Sequence, residues 1–166
     1  MEFDYFDFDG VLVEDLFSLL GPKVEALKAA VDPRCPEEFS GFETMEHIHG
    51  VAVVAAQRYI STTCAWLHLD RVKAFDLGAK VGTTTKIAAI HAAANYWKHA
   101  DDGLTQIQPR TRATLEAAGV NFDESGPDET TYLVGNVLHR CAYSNLGDLL
   151  DDLKSWTELA IATEKQ

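Results

Sequence analysis

The stretch that decides the fold is residues 83–103, TTTKIAAIHAAANYWKHADDG, which has the clearest helical pattern in the chain. Hydroxyl side chains at residues 83–85 are candidates for its N-cap, and Gly103 is a candidate C-terminal stop. Apolar residues recur along it at steps of three or four: Ile87, Ile90, Ala94 and Trp97. Because its many alanines keep such a helix thin, we expect it to pack on several sides, in the middle of a helical bundle.

A second set of residues in the same stretch is polar and also follows helical spacing: His91, Asn95, Lys98 and His99. Residues three or four apart are neighbours on a helix surface, so these side chains form a polar ridge beside the apolar face. They are the candidate site residues of the chain. Two interpretations remain open, because a polar ridge either contacts a ligand or partner or consists of structural groups that hydrogen-bond to one another.

The segments on either side of this stretch also predict helices. Residues 14–31 read as a helix broken at Gly21-Pro22, and residues 40–60 predict the longest helix. Shorter helices are expected within residues 61–82, over 111–118, from about residue 128 and from residue 144 or 145 to the end. Residues 1–13 alternate acidic and aromatic residues, which favours a short extended arm. We therefore expect an all-α, single-domain bundle of about five to seven helices over residues 1–166, with an N-terminal arm over 1–13.

Charge is distributed unevenly along the 166 residues, whose formal net charge is −12. Residues 1–40 contain ten acids and three bases, residues 41–99 contain four and six, and residues 100–166 contain twelve and five. Two acidic flanks of this kind repel phosphate backbones, which makes a nucleic-acid partner unlikely and favours a basic protein partner. No apolar run approaches the roughly 20 residues that span a bilayer, so we expect a cytoplasmic protein with no membrane association.

Metal and cofactor motifs are sparse. Glu46 and His49 form a Glu-x-x-His pair, which is half of the set that a di-iron carboxylate bundle needs, but no second pair occurs. We expect His49 in the core and His47 on the surface. Neither Cys-x-x-Cys nor His-Glu-x-x-His is present, and the three cysteines are far apart. The sequence therefore predicts free thiols, no metal and no cofactor.

Near the N-terminus, Asp7-Phe8-Asp9-Gly10-Val11-Leu12 is similar to the first motif of the haloacid dehalogenase-like phosphatases. Residues 147–152, GDLLDD, are similar to the late acidic motif of that family. The resemblance implies that Asp7 would be the nucleophile and Asp9 the general acid and base. The family places these motifs after buried parallel strands, and this chain has almost no β-branched runs to form them. The phosphatase is thus an alternative expectation.

The segment Ala94-Asn95-Tyr96-Trp97-Lys98-His99 resembles the Asn-x-x-Lys-His helix ends of HEPN-like helical proteins of bacterial defence and toxin systems. Active members of that family are RNA endonucleases whose arginine, followed by four to six residues and then histidine, acts across a dimer. No arginine stands at that distance before any of the six histidines. Lys86 precedes His91 by five residues, but an ammonium lacks the planar fork of arginine. The resemblance therefore implies a non-catalytic relative of the HEPN-like nucleases, and it is compatible with a homodimer.

Together these observations favour a non-enzymatic, acidic protein-binding domain of the immunity or antitoxin type, which neutralises a basic partner. A HEPN-like RNA endonuclease that uses His91, Asn95, Lys98 and His99 is the first alternative. A phosphatase that uses Asp7 and Asp9 is the second.

Overall fold

The computed structural model describes residues 8–32, 34, 40–100, 107–122 and 132–164. In these ranges the chain forms seven α-helices and one small antiparallel hairpin, so the predicted all-α bundle is confirmed. The elements are α1 (Phe8–Ala29), α2 (Phe42–Trp66), α3 (Arg71–Phe75), β1 (Lys80–Val81), β2 (Thr84–Thr85), α4 (Lys86–Ala100), α5 (Pro109–Ala117), α6 (Leu133–Arg140) and α7 (Leu146–Glu164). None of the helices in the described ranges is both long and apolar enough to cross a membrane.

Helix α4 is central, as its alanine content predicts. It packs on α2, α5 and α6 and against the hairpin. Ala89, Ile90 and Ala93 have no exposed surface at all. The helix begins at Thr85, whose hydroxyl accepts the Ala88 N–H at 3.2 Å and donates to the Phe75 carbonyl at 2.5 Å. The predicted stop, Gly103, lies outside the described residues.

Helix α2 is the longest described helix at 25 residues, as expected, and it continues to Trp66 rather than ending near residue 60. It approaches α4 closely at Gly50. A Cβ atom there would lie 2.1 Å from Cε2 of Trp97, so only glycine fits. Because of this close approach, the Trp97 indole packs directly against the α2 backbone.

Helix α1 corrects two predictions. Residues 8–13 are helical rather than part of an extended arm, while residues 1–7 lie outside the described ranges. The predicted break at Gly21-Pro22 is also wrong, because α1 runs through Pro22. Val13, Phe17 and Val24 are buried on both sides of that point and hold the helix on the core. Pro22 itself is exposed to solvent.

The hairpin is an element that the sequence did not predict. Lys80 pairs with Thr85 and Val81 pairs with Thr84, and two residues per strand are too few for alternation to be visible. Its turn residue Gly82 has a φ of +55°, and a Cβ atom there would lie 2.2 Å from the Ala117 carbonyl oxygen. The turn therefore abuts the end of α5, which begins at Pro109 rather than at residue 111.

Helix α7 begins as predicted. The Asn145 side-chain oxygen accepts the N–H groups of Gly147 and Asp148, and the Asp148 carboxylate accepts those of Ser144 and Asn145. This reciprocal arrangement is a capping box, with Asp148 in the usual place of Glu. The predicted inward face is also confirmed, since four of its residues are buried: Leu149, Leu153, Trp156 and Ala160.

The phosphatase expectation finds no scaffold in the described ranges. Asp9 and Gly10 lie within the first turn of α1, and Asp7 lies outside the described residues. The only described strands are the antiparallel pair of the hairpin. Cys64 and Cys141 are buried free thiols, as predicted, whereas Cys35 is outside the described ranges.

Candidate functional site

The polar ridge of α4 divides into a buried half and an exposed half. In the buried half, Gln57 of α2 donates one hydrogen bond to Asn95 Oδ1 at 2.7 Å and one to the His91 carbonyl at 3.2 Å. Asn95 in turn donates from Nδ2 to His91 Nδ1 at 3.3 Å. We call Gln57, His91 and Asn95 the α2–α4 seam. Their polar groups hydrogen-bond to one another, which is the structural interpretation of the ridge.

His91 is held in its neutral form. Burial, together with the positive charges of Lys98, Arg71 and Arg110, lowers its pKa to about 4. The hydrogen bond from Asn95 acts in the same direction, because a protonated Nδ1 would turn a second donor toward the amide N–H. The imidazole also packs on the Phe75 ring, with centroids 4.7 Å apart. His91 Nδ1 therefore accepts a hydrogen bond from Asn95 within α4, while the His91 ring packs on Phe75 of α3.

The exposed half of the ridge comprises Lys98 and His99, near the C-terminal end of α4. Cationic side chains are favourable there because the helix dipole is negative at that end. Lys86, the base that precedes His91 by five residues, lies at the other end of the helix. Its Nζ pairs with Asp152 Oδ2 at 2.9 Å and lies 4.7 Å from the centre of the Tyr143 ring. The structure does not bring Lys86 into the ridge.

Glu46 and His49 also have separate environments. Both Glu46 oxygens accept backbone N–H groups at the start of α6, from Val134 at 2.7 Å and Gly135 at 2.9 Å. Burial raises the pKa of this carboxyl, and the two hydrogen bonds oppose that effect. His49 is half-buried, whereas His47 is exposed and packs edge-on against Trp97. Glu46 thus acts as a cap for a distant helix, a role its local sequence did not reveal.

No group of three or more His, Cys, Asp or Glu side chains in the described ranges is placed to hold a metal ion.

Gln57 is a residue of the seam that the sequence did not predict. Its only signal in the sequence is a polar residue on the otherwise apolar face of α2, and its partner Asn95 is 38 residues away.

The packing of α1 on α7 brings together one helix from each acidic flank. The helices are antiparallel, because Lys154 pairs with Glu14 at 2.9 Å near one end and Lys28 donates to the Ser144 carbonyl at 2.5 Å near the other. Helix α1 contains four acidic and two basic residues, and α7 contains five and one. The five helices between them contain three acidic and eight basic residues. Charge is therefore segregated in the fold and not only along the chain.

The same two helices expose large apolar side chains. Val11 and Leu12 are each 50% exposed, Leu19 is 76% exposed and Leu159 of α7 is 45% exposed. Asp15 is also exposed and lies between Leu12 and Leu19 at helical spacing. We define the α1–α7 surface as the exposed apolar and acidic side chains of these two helices: Val11, Leu12, Glu14, Asp15, Leu19, Asp151, Glu158 and Leu159.

Compared with protein-family models, with curated proteins and with solved structures, the chain has no match. The function must therefore be inferred from the arrangement of the chain's own residues.

Proposed function

We propose that this protein is a non-enzymatic binding domain that uses the α1–α7 surface to bind a basic protein. The observation that carries the proposal is that acidic residues and exposed apolar side chains occur together on the same two packed helices. Protein interfaces combine an apolar centre with a polar rim in this way. An immunity or antitoxin role, in which the domain covers a basic partner, fits this combination.

The two kinds of residue have different parts in the proposed interaction. When a partner docks, the apolar surface of Leu12 and Leu19 is removed from water. This burial stabilises the complex, so these residues set its rate of dissociation. Asp15, Asp151 and Glu158 attract a basic surface over a distance of about a Debye length, so they set the rate of association. Of the three lysines on these helices, Lys28 pairs with Glu25 and Lys154 pairs with Glu14, which leaves the surface acidic.

The test is a comparison of two variants that make the same change in net charge. Asp15→Lys with Glu158→Lys reverses two charges on the α1–α7 surface. Glu43→Lys with Asp76→Lys reverses two exposed charges on α2 and after α3. Proteins retained from an extract of the source organism by the immobilised wild-type chain are re-tested as purified proteins against both variants.

The proposal predicts a basic partner whose association slows about tenfold or more with the α1–α7 variant and less than about twofold with the control. A second pair of variants tests the apolar part. Leu19→Ser should speed dissociation, while Val72→Ser, which changes a comparably exposed residue of α3, should not. Equal effects of both members of each pair would contradict the proposal.

A second candidate function is an RNA endonuclease centred on α4. One observation favours it: the charges of Arg71, Lys98 and Arg110 all act on His91, although they come from three different helices. In this proposal, Arg71 of α3 and Arg110 of α5 take the part of the arginine that the local sequence lacks. A cationic group of this kind suits a phosphate backbone.

The endonuclease is tested with the purified chain and a mixture of single-stranded RNAs. If it is correct, RNA is cleaved, and the activity is lost in His99→Ala and in Arg110→Ala but retained in Arg140→Ala, which removes an arginine from α6. An intact substrate at high enzyme concentration would exclude this candidate without affecting the protein-binding proposal.

A further inference from the structure

A cavity of about 440 Å³ lies between α1, α2, α6 and the segment that joins α6 to α7. This volume is in the range of small-molecule sites, which is roughly 300–1,000 Å³. Its apolar wall includes Val24, Leu138 and Leu146, one from each of three helices. The cavity shares no residue with the α2–α4 seam or with the α1–α7 surface, so neither role described above accounts for it.

One end of the cavity is lined by a lysine that is ion-paired with Glu25. Lys28 Nζ lies there and donates to Glu25 Oε1 at 3.0 Å and to the Ser144 carbonyl at 2.5 Å. An ammonium group has three N–H donors, so one remains for a further acceptor. Lys28 and His49 both line the cavity, and the Lys28 charge lowers the pKa of His49.

His49 faces the cavity as a neutral imidazole. Burial, together with the Lys28 charge, lowers its pKa to about 4. A neutral imidazole has one N–H donor and one acceptor nitrogen. Within the described ranges, no residue makes a hydrogen bond to this ring. Among the described residues, the ring therefore has hydrogen-bonding capacity that is not used.

Gly135 keeps the space beside this imidazole open. A Cβ atom at that position would lie 3.6 Å from His49 Nδ1 and 3.2 Å from Glu46 Oε2. The described lining residues include no aspartate or glutamate, in a chain whose net charge is −12. The wall thus presents the His49 imidazole and the Glu25-paired Lys28 ammonium above apolar side chains, and their remaining N–H donors suit an anion with an apolar tail.

We propose that this cavity binds a small organic monocarboxylate, whose carboxylate accepts hydrogen bonds from Lys28 Nζ and the His49 ring and whose apolar chain or ring contacts Val24, Leu138 and Leu146. Hydrogen bonds to an ionised acceptor are stronger than those between neutral groups, so the carboxylate fixes the orientation of the ligand. An amine of the same size would meet the Lys28 charge and be repelled. This inference does not depend on the protein-binding proposal.

The experiment titrates the full chain with three probes that have the same tail: hexanoate, 1-hexanol and hexylamine. Binding is followed by the NMR signals of the His49 ring and the Leu138 and Leu146 methyl groups. Hexanoate should bind about tenfold or more tightly than the alcohol or the amine, since one charge-assisted hydrogen bond is worth at least that factor. No binding of hexanoate, or equal binding of hexanoate and 1-hexanol, would overturn the proposal.

Matched variants locate the site. Lys28→Met should weaken hexanoate binding about tenfold, whereas Lys23→Met, which makes the same change on the exposed side of α1, should leave it unchanged. Val24→Trp should fill the cavity and abolish binding. Because that variant places a larger group in the core, its circular dichroism and unfolding transition are measured alongside. His49→Phe is an independent variant, which removes the second hydrogen-bond donor and should also weaken binding. Equal behaviour of Lys28→Met and Lys23→Met would overturn the proposal.

Discussion

The α2–α4 seam and the α1–α7 surface both contain polar side chains on packed helices, but they use them in opposite ways. In the seam, Gln57, Asn95 and His91 hydrogen-bond to one another and are largely shielded from water. On the α1–α7 surface, Asp15 and Glu158 point into solvent beside exposed apolar side chains. Groups of the first kind determine how helices fit together, and groups of the second kind remain available to another molecule.

The polar ridge of α4 is the sequence feature that looks most like a functional site, but this difference makes the α1–α7 surface the better candidate for binding. The ridge on α4 combines histidine, asparagine and lysine at helical spacing, which is typical of catalytic helices and of structural seams alike. Only the position of Gln57, contributed by another helix, distinguishes the two. We therefore expect substitutions in the seam to change stability and substitutions on the α1–α7 surface to change binding.

The largest effect on stability is expected at Gly50, where α2 and α4 are closest. Gly50→Ala should lower the free energy of unfolding by about 2 kcal/mol, because the added methyl group displaces the Trp97 indole. Gly21→Ala is the matched control, since nothing lies within 4 Å of its Cβ position in α1. That substitution should stabilise the protein by up to about 1 kcal/mol. Urea unfolding measures both, and equal shifts would show that the seam is not tightly packed.

A smaller effect is expected from the seam's hydrogen bonds. Gln57→Leu leaves Asn95 Oδ1 and the His91 carbonyl without their donor, and because both bonds are only part-buried it should cost about 1 kcal/mol. Asn95→Leu should cost a similar amount. The double variant should cost less than the sum, because it removes both partners of one hydrogen bond together. Strict additivity in urea unfolding would contradict the network, and a loss of partner binding would contradict its structural role.

The seam also predicts a pH dependence. The pKa of His91 is lowered from 6.5 to about 4, so its contribution to stability is present above pH 6.5 and lost as the pH falls toward 4. His49 has the same sign. The raised pKa of Glu46 has the opposite sign, since its contribution is lost as the pH rises through the folded-state value.

The His91 contribution is isolated by comparison with His91→Gln, which stays neutral throughout. The urea midpoint of the wild type should fall relative to that of the variant between pH 6.5 and 4. His47→Gln serves as a control for the substitution at an exposed site of α2. Parallel pH profiles of the wild type and His91→Gln would show that His91 is not held neutral by the seam.

The smallest effect on stability is expected on the α1–α7 surface. Asp15→Lys with Glu158→Lys should change the free energy of unfolding by no more than about 0.5 kcal/mol, because both side chains are exposed and neither supports the core. The same urea unfolding series measures it. A loss comparable with that of Gln57→Leu would mean that these carboxylates are structural, and it would remove the contrast between the two regions.

The sequence predicts the fold better than the site because the two depend on contacts of different range. The central position of α4 follows from its alanines, and the start of α7 follows from Asn145 and Asp148, which are only three residues apart in sequence. The continuity of α1 through Pro22 does not follow from the local sequence, since it depends on the burial of Val13 and Val24 in the core. The roles of Gln57 and Glu46 are also hidden, because their partners are 38 and 88 residues away.

If the α1–α7 surface recruits a basic partner by its charge, the association rate of that partner must depend on salt. The most direct measurement is this rate for the wild-type chain as the salt concentration rises from about 0.05 M to about 0.5 M. We expect the rate to fall tenfold or more, dissociation to change little, and Asp15→Lys with Glu158→Lys to flatten the dependence. An association rate that does not change with salt, in the wild type and the variant alike, would contradict the protein-binding proposal.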